Sequence, residues 1–125
     1  MAKVPKISES EWLVMQVFWS QGGLTADEVV AALKGQTKWN PLTTKTLITR
    51  LLKKGALKFK KEGRKYRYFP AVKQELCIRQ ERRSFVHRVY GGTAQPMLAA
   101  FIEDAKLSSD DIAELKRMLD KKAKE

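Results

Sequence analysis

The stretch Thr43-Thr44-Lys45-Thr46-Leu47-Ile48-Thr49-Arg50-Leu51-Leu52-Lys53-Lys54-Gly55 decides how this chain is read. At about 100° per residue it separates into two faces. Leu47, Ile48, Leu51 and Leu52 share one apolar sector. Thr46, Thr49, Arg50 and Lys53 are centred opposite, with Thr43 and Lys54 at the edge of that polar sector. Any surface helix has a polar face; this one carries short hydroxyls and cations and no carboxylate. A helix entering the major groove of DNA needs such chemistry. Threonine allows close approach and offers a methyl to thymine and a hydroxyl to base edges, and arginine can take guanine bidentately or clamp a phosphate. Lys53 and Lys54 suit phosphates, and the helix N-terminus adds its own pull on an anion. The alternative, a merely solvated face, is the weaker account of a helix without one acid.

The residues after the helix extend the pattern. Leu57 and Phe59 alternate with Lys58 and Lys60, Glu62-Gly63 supplies a turn, and Tyr66 and Tyr68 alternate with Lys65 and Arg67 before Pro70. Such alternation around a turn predicts a β-hairpin. Its cations, Lys58, Lys60, Lys61, Arg64, Lys65 and Arg67, fall at the tip and along one edge, where a wing meets phosphates or the minor groove. The aromatics Phe59, Tyr66, Tyr68 and Phe69 have two readings, bases' stacking partners or packing of the hairpin onto its helices, and packing is preferred.

Upstream, Ser8 with Glu11 and Thr25 with Glu28 each form a capping box, stapled by Ile7 with Trp12 and by Leu24 with Val29. They predict helices over about 8–21 and 25–34, the first apolar nearly all round and ended by Gly22-Gly23. A loop holding Trp39-Asn40-Pro41 leads into the third helix, predicted over 43–54 with Gly55 as its cap. Three helices and a hairpin in this order make a winged helix. Beyond it, helices are predicted over about 72–90, closed by Gly91-Gly92, 95–105 and 108–122, the last opened by Ser108 with Asp111 and expected to bury Ile112, Leu115, Met118 and Leu119. The fold class expected is mostly α with a small β-hairpin, a winged helix-turn-helix over 1–71 followed by a helical dimerisation region over 72–125. The dimer is inferred because three amphipathic helices in so short a segment cannot cover their own apolar faces.

The charge agrees with the face-by-face reading. The chain of 125 residues carries a formal net charge of +11. Residues 1–72 hold 14 Lys/Arg against 5 Asp/Glu, and 45–67 hold 10 against the single Glu62. Such focusing points to a polyanion, and no amphipathic membrane helix supports anionic lipid as the partner. No apolar run reaches the length of a membrane span, and Met1-Ala2-Lys3-Val4-Pro5-Lys6 lacks a secretory signal, which predicts a cytoplasmic protein. The lone Cys77 and lone His87 support neither a metal site nor a nucleophile, and no cofactor, metal or catalytic residue is expected.

These motifs together resemble the penicillinase-repressor (BlaI/MecI/CopY type) family of winged-helix regulators. The carrying residues are Ser8-Glu9-Ser10-Glu11-Trp12-Leu13-Val14-Met15, Leu24-Thr25-Ala26-Asp27-Glu28-Val29, Thr46 to Gly55, Tyr66-Arg67-Tyr68-Phe69-Pro70 and Tyr90-Gly91-Gly92. The resemblance spans almost the whole chain, and Thr46 to Gly55 is its most specific part. It implies a homodimeric repressor, not an enzyme, on inverted repeats with TACA/TGTA-like half-sites upstream of β-lactamase, metal-export or other stress genes. It assigns DNA contact to Thr43, Thr44, Lys45, Thr46, Thr49 and Arg50, to which the faces above add Lys53, Lys54, Lys60, Lys61, Arg64 and Lys65. In the β-lactam branch a membrane-bound metalloprotease sensor leads to a cut at an Asn-Phe bond; the matching pair here is Ala100-Phe101. The copper branch binds metal through paired Cys-x-Cys motifs, which this chain lacks. Two other classes fit the residues less well, an architectural protein that uses the cations alone and an adaptor that works through the C-terminal helices.

Overall fold

The computed structural model describes residues 3–125; Met1 and Ala2, at the start of the stretch inspected for a signal, lie outside it. Its elements are α1 (Glu9–Gln21), β1 (Leu24–Thr25), α2 (Ala26–Leu33), α3 (Pro41–Lys54), β2 (Leu57–Glu62), β3 (Lys65–Pro70), α4 (Gln74–Tyr90), α5 (Ala94–Asp104) and α6 (Ser109–Ala123). The chain forms two compact units, Met1–Arg82 and Arg83–Glu125, with the boundary inside α4.

In the first unit, local sequence fixes where each helix begins. Ser8 Oγ accepts from the Glu11 N–H (3.2 Å) while the Ser8 N–H donates to Glu11 Oε1 (2.8 Å). Thr25 and Glu28 repeat the exchange at α2. Both boxes satisfy backbone donors that a helix start leaves free. At α3 the start falls two residues before the predicted one. Asn40 is the cap, its Oδ1 accepting from the Thr43 N–H at 2.9 Å, and Pro41 occupies the first helical position, where a missing N–H costs nothing. The other end closes by a Schellman motif. Gly55, at φ +81°, donates to Leu52 O, and the Ala56 N–H to Leu51 O. A left-handed residue is needed there, and glycine adopts it without strain.

The core of this unit comes from all three helices and the base of the hairpin: Val14, Met15, Phe18, Val29, Leu33, Leu47, Ile48, Leu51, Ala56 and Leu57 are buried. Trp12 and Trp19 meet edge-to-face at 5.5 Å between ring centroids and pack on its flank. Trp19 Nε1 also donates to Val72 O at 3.0 Å, Gln80 Nε2 donates to Pro5 O at 3.0 Å, and Cys77 is buried. The first half of α4 is thereby held in this unit.

The hairpin gains a third strand that its own sequence does not announce. The sheet order is β1-β3-β2, all antiparallel, with Leu24 opposite Tyr68 and Thr25 opposite Arg67. Gly63 and Arg64 form the two-residue turn, with positive φ at Gly63 alone, as a type II′ turn demands. The expected all-packed aromatics divide. Tyr68 and Phe69 are half-buried, Phe69 lying so close to Gly23 that a side chain there would strike its ring. Phe59 and Tyr66 are exposed and pair edge-to-face on the outer wing at 5.1 Å.

In the second unit, Phe85 meets Tyr90 edge-to-face at 5.8 Å and stacks with Phe101 at 6.3 Å. Gly91 and Gly92 both take positive φ after α4. Ser108 and Asp111 form the third capping box. Here the expectation of buried residues in the last helix is corrected: Ile112, Leu115, Met118 and Leu119 are exposed in the single chain, as are Leu98, Phe101 and Ile102 on α5. A lone 15-residue amphipathic helix cannot cover its own apolar face. No helix of the described residues is long and apolar enough to cross a membrane.

Candidate nucleic-acid interface

The apolar side of α3 points into the core through Leu47, Ile48 and Leu51, which turns the opposite side to solvent. Thr46, Thr49, Arg50 and Lys53 are all exposed there, and Lys45 flanks them. Their hydroxyls are not equivalent. Thr49 Oγ1 donates back to Lys45 O at 3.1 Å and Thr43 Oγ1 to Asn40 Oδ1 at 3.1 Å, whereas Thr46 has no hydrogen-bond partner among the described residues. Thr46 therefore presents a free donor, and Thr49 only acceptor lone pairs and a methyl.

Two residues grouped with this surface stand apart from it. Thr44 is 2% exposed, facing the core side of α3 beside Leu47 and Ile48. Its hydroxyl has no route to a groove while the helix stays packed. Lys54 turns inward: its Nζ donates to Glu11 Oε1 and, at 2.9 Å, to Lys6 O. The reading of Lys54 as a free cation missed this because its partner is 43 residues away in sequence.

Glu11 is itself 1% exposed. Burial pushes its carboxyl up, but the Lys54 ammonium and the Ser8 N–H and hydroxyl outweigh that and leave it below the ordinary carboxylate value. One oxygen, Oε2, is buried without a partner among the described residues, so the charge depends on what Oε1 receives.

The wing supplies the second patch. Lys60, Lys61, Arg64 and Lys65 are all exposed, Arg64 in the turn and the others beside it. Arg67 is committed elsewhere. Its guanidinium binds Glu62, donates to Gly23 O at 3.1 Å and approaches Glu28 at 3.4 Å. It ties the wing to the start of α2. Glu28, held by Thr25 first and Arg67 after, sits below its ordinary pKa. Between α3 and the wing lies an open cleft of about 280 Å³, lined by Thr25, Asp27, Lys45, Thr49, Lys65 and Tyr66. Lys45 reaches Asp27 across it at 3.4 Å, an exposed pair of small energetic weight. Ala100 and Phe101 lie in the other unit, in the middle of α5.

A carboxylate-free outward helix on a helix-turn-helix, followed by a cationic wing, defines the winged-helix class of nucleic-acid-binding folds. Within that class the comparisons are specific. A family model described as penicillinase repressor matches residues 7–121, and the chain belongs to that family. It is 38% identical over 120 residues to the penicillinase repressor of Bacillus licheniformis, covering 96% of this chain and 94% of that protein. Against the methicillin resistance regulatory protein MecI of Mammaliicoccus sciuri the identity is 34%, over 96% and 98% of the two chains. The solution structure of monomeric Bacillus licheniformis BlaI in complex with the blaP half-operator aligns at 40% identity with a TM-score of 0.53, over 60% of this chain and 92% of that one. The family is one of repressors, not enzymes.

Proposed function

We propose that this chain is a homodimeric transcriptional repressor that binds a palindromic DNA operator with TACA/TGTA-like half-sites and controls a resistance or stress-response gene in the cytoplasm. The observation that carries it is the single exposed face of α3, where Thr46, Thr49, Arg50 and Lys53 stand together with no acid. In this reading Thr43, Thr46, Thr49 and Arg50 address base edges, while Lys45, Lys53 and the wing residues Lys60, Lys61, Arg64 and Lys65 hold phosphates. Thr44 and Lys54 position the helix rather than touch DNA. The first unit binds and the second pairs two copies, which puts two α3 helices about one DNA turn apart, roughly 34 Å, on an inverted repeat.

Release is assigned to α5. A protease needs an extended strand, and the Ala100–Phe101 bond lies inside a helix whose cap residue, Thr93, makes no side-chain bond to it and which buries only Met97. So lightly held a helix opens locally more easily than α1 or α3. A cut there, downstream of a membrane-bound metalloprotease sensor, would separate α6 from the chain and uncouple the dimer.

Titration of the purified protein against a duplex carrying the TACA/TGTA inverted repeat and against a random duplex tests the central reading. Binding at least 1000-fold tighter to the repeat is expected, about the low end for specific regulators; equal affinity overturns it. Arg50→Ala should cost about 1–3 kcal/mol and narrow the gap between the two duplexes.

A further inference from the structure

Leu42 is the most exposed of the large hydrophobic residues among the described residues, at 72%. It does not sit at random. Counting along α3, positions 42, 46, 49, 50 and 53 follow one helical face, so Leu42 heads the column formed by Thr46, Thr49, Arg50 and Lys53. On the wheel it lies roughly 180° from the centre of the buried set Thr44, Leu47, Ile48 and Leu51, so no small rotation of the helix could bury it. It is also the only apolar side chain on that face, with exposed Lys38 before it and exposed Lys45 beside it.

So exposed a leucine adds little to the core beneath it. Its second helical position puts it in the first turn, the part of a reading helix that approaches base edges. Cations there cannot favour thymine over cytosine by its methyl; an isobutyl side chain can, and with more apolar surface than a threonine methyl, because the 5-methyl of thymine is the one apolar group in the major-groove edge pattern.

We infer that Leu42 is a specificity-determining residue that recognises a thymine of each half-site through its 5-methyl group. The inference rests on the operator reading above. It adds an apolar contact at the head of the column, one helical turn before the methyl of Thr46 and two before that of Thr49.

The test removes the methyl from the DNA and the leucine from the protein, separately and together. The full chain is titrated against the TACA/TGTA inverted repeat with each symmetry-related pair of thymines replaced in turn by deoxyuridine. At one pair, wild type should lose about fourfold affinity per half-site, the worth of one buried methyl. Leu42→Ala should bind the unmodified repeat more weakly by a like factor and become indifferent to uracil at that pair, while Leu42→Met keeps the sensitivity. If Leu42→Ala binds like wild type, or if its uracil losses equal those of wild type, Leu42 reads no methyl and the inference falls, with operator recognition intact. If wild type does not distinguish the repeat from random duplex, the operator reading fails first and takes the inference with it.

Discussion

Lys54, the last residue of α3, holds the buried carboxylate of Glu11 in the first turn of α1. One end of the candidate reading helix is therefore locked to the helix beneath it by charge as well as by the apolar contacts of Leu47, Ile48 and Leu51.

Breaking the pair from either side should not be symmetrical. Lys54→Met leaves a buried carboxylate with only its Ser8 bonds, and the loss expected is about 1–3 kcal/mol, moderated because the lysine itself is partly exposed. Glu11→Gln keeps the capping geometry and removes the charge, and should cost less. Chemical denaturation of the full chain measures both.

The same pair sets a pH dependence. Glu11 titrates below its ordinary value when folded, so the unfolded chain binds more protons in acid, and stability falls as pH falls. The contribution should be complete above about pH 5, given an unperturbed glutamate near 4.3, and disappear as pH drops through the lower folded value. Glu28 shifts the same way, so the useful quantity is the difference between wild type and Glu11→Gln. That difference should be flat from about pH 8 to 5 and shrink below; a difference that grows in acid would contradict it.

On the wing, cations that look alike in sequence should behave differently. Lys60→Ala or Lys65→Ala should lower the slope of log affinity against log salt by about 0.9 each, the loss of one phosphate contact. Arg67→Met should leave that slope near its original value and weaken binding instead by loosening the wing from Gly23 and Glu28. Affinities measured across a salt series separate the two effects.

For the second unit, a charged residue on the exposed apolar face of α6 should prevent pairing without unfolding the helix. Leu115→Lys is expected to convert a dimer into a monomer in sedimentation velocity, with the circular dichroism helical signal largely kept. A wild-type chain that sediments as a monomer at micromolar concentration would contradict the dimer.

Legibility in the sequence tracks the range of the forces involved. Ser8 with Glu11, Thr25 with Glu28 and Ser108 with Asp111 act over three residues, so their helices are legible from sequence. Asn40-Pro41 carries a start signal of the same kind, a cap followed by proline, and reading it as loop sets the start of α3 two residues late. The two-residue strand β1 leaves no periodicity to find, because its only reason to exist is β3, more than forty residues on. The polar column of α3 is legible as well, since a wheel needs only spacing. Placing Thr44 with that column follows family likeness over geometry; at its angle the side chain could only go inward. The commitments of Lys54 and Arg67 are illegible for the reason β1 is. The wing aromatics divide: Tyr68 packs on the core and Phe69 against Gly23, whereas Phe59 and Tyr66 pair with each other in the open.

The strand order β1-β3-β2 leaves β2 as an open edge of the sheet. Unpaired backbone groups on such an edge invite a strand from another molecule, and lysine is a common guard against that. Lys58, Lys60 and Lys61 line this edge, so the residues suited to phosphates also keep free protein from adding strand to strand. Variants stripped of wing lysines to relax binding would thus become prone to self-association whenever no polyanion covers them.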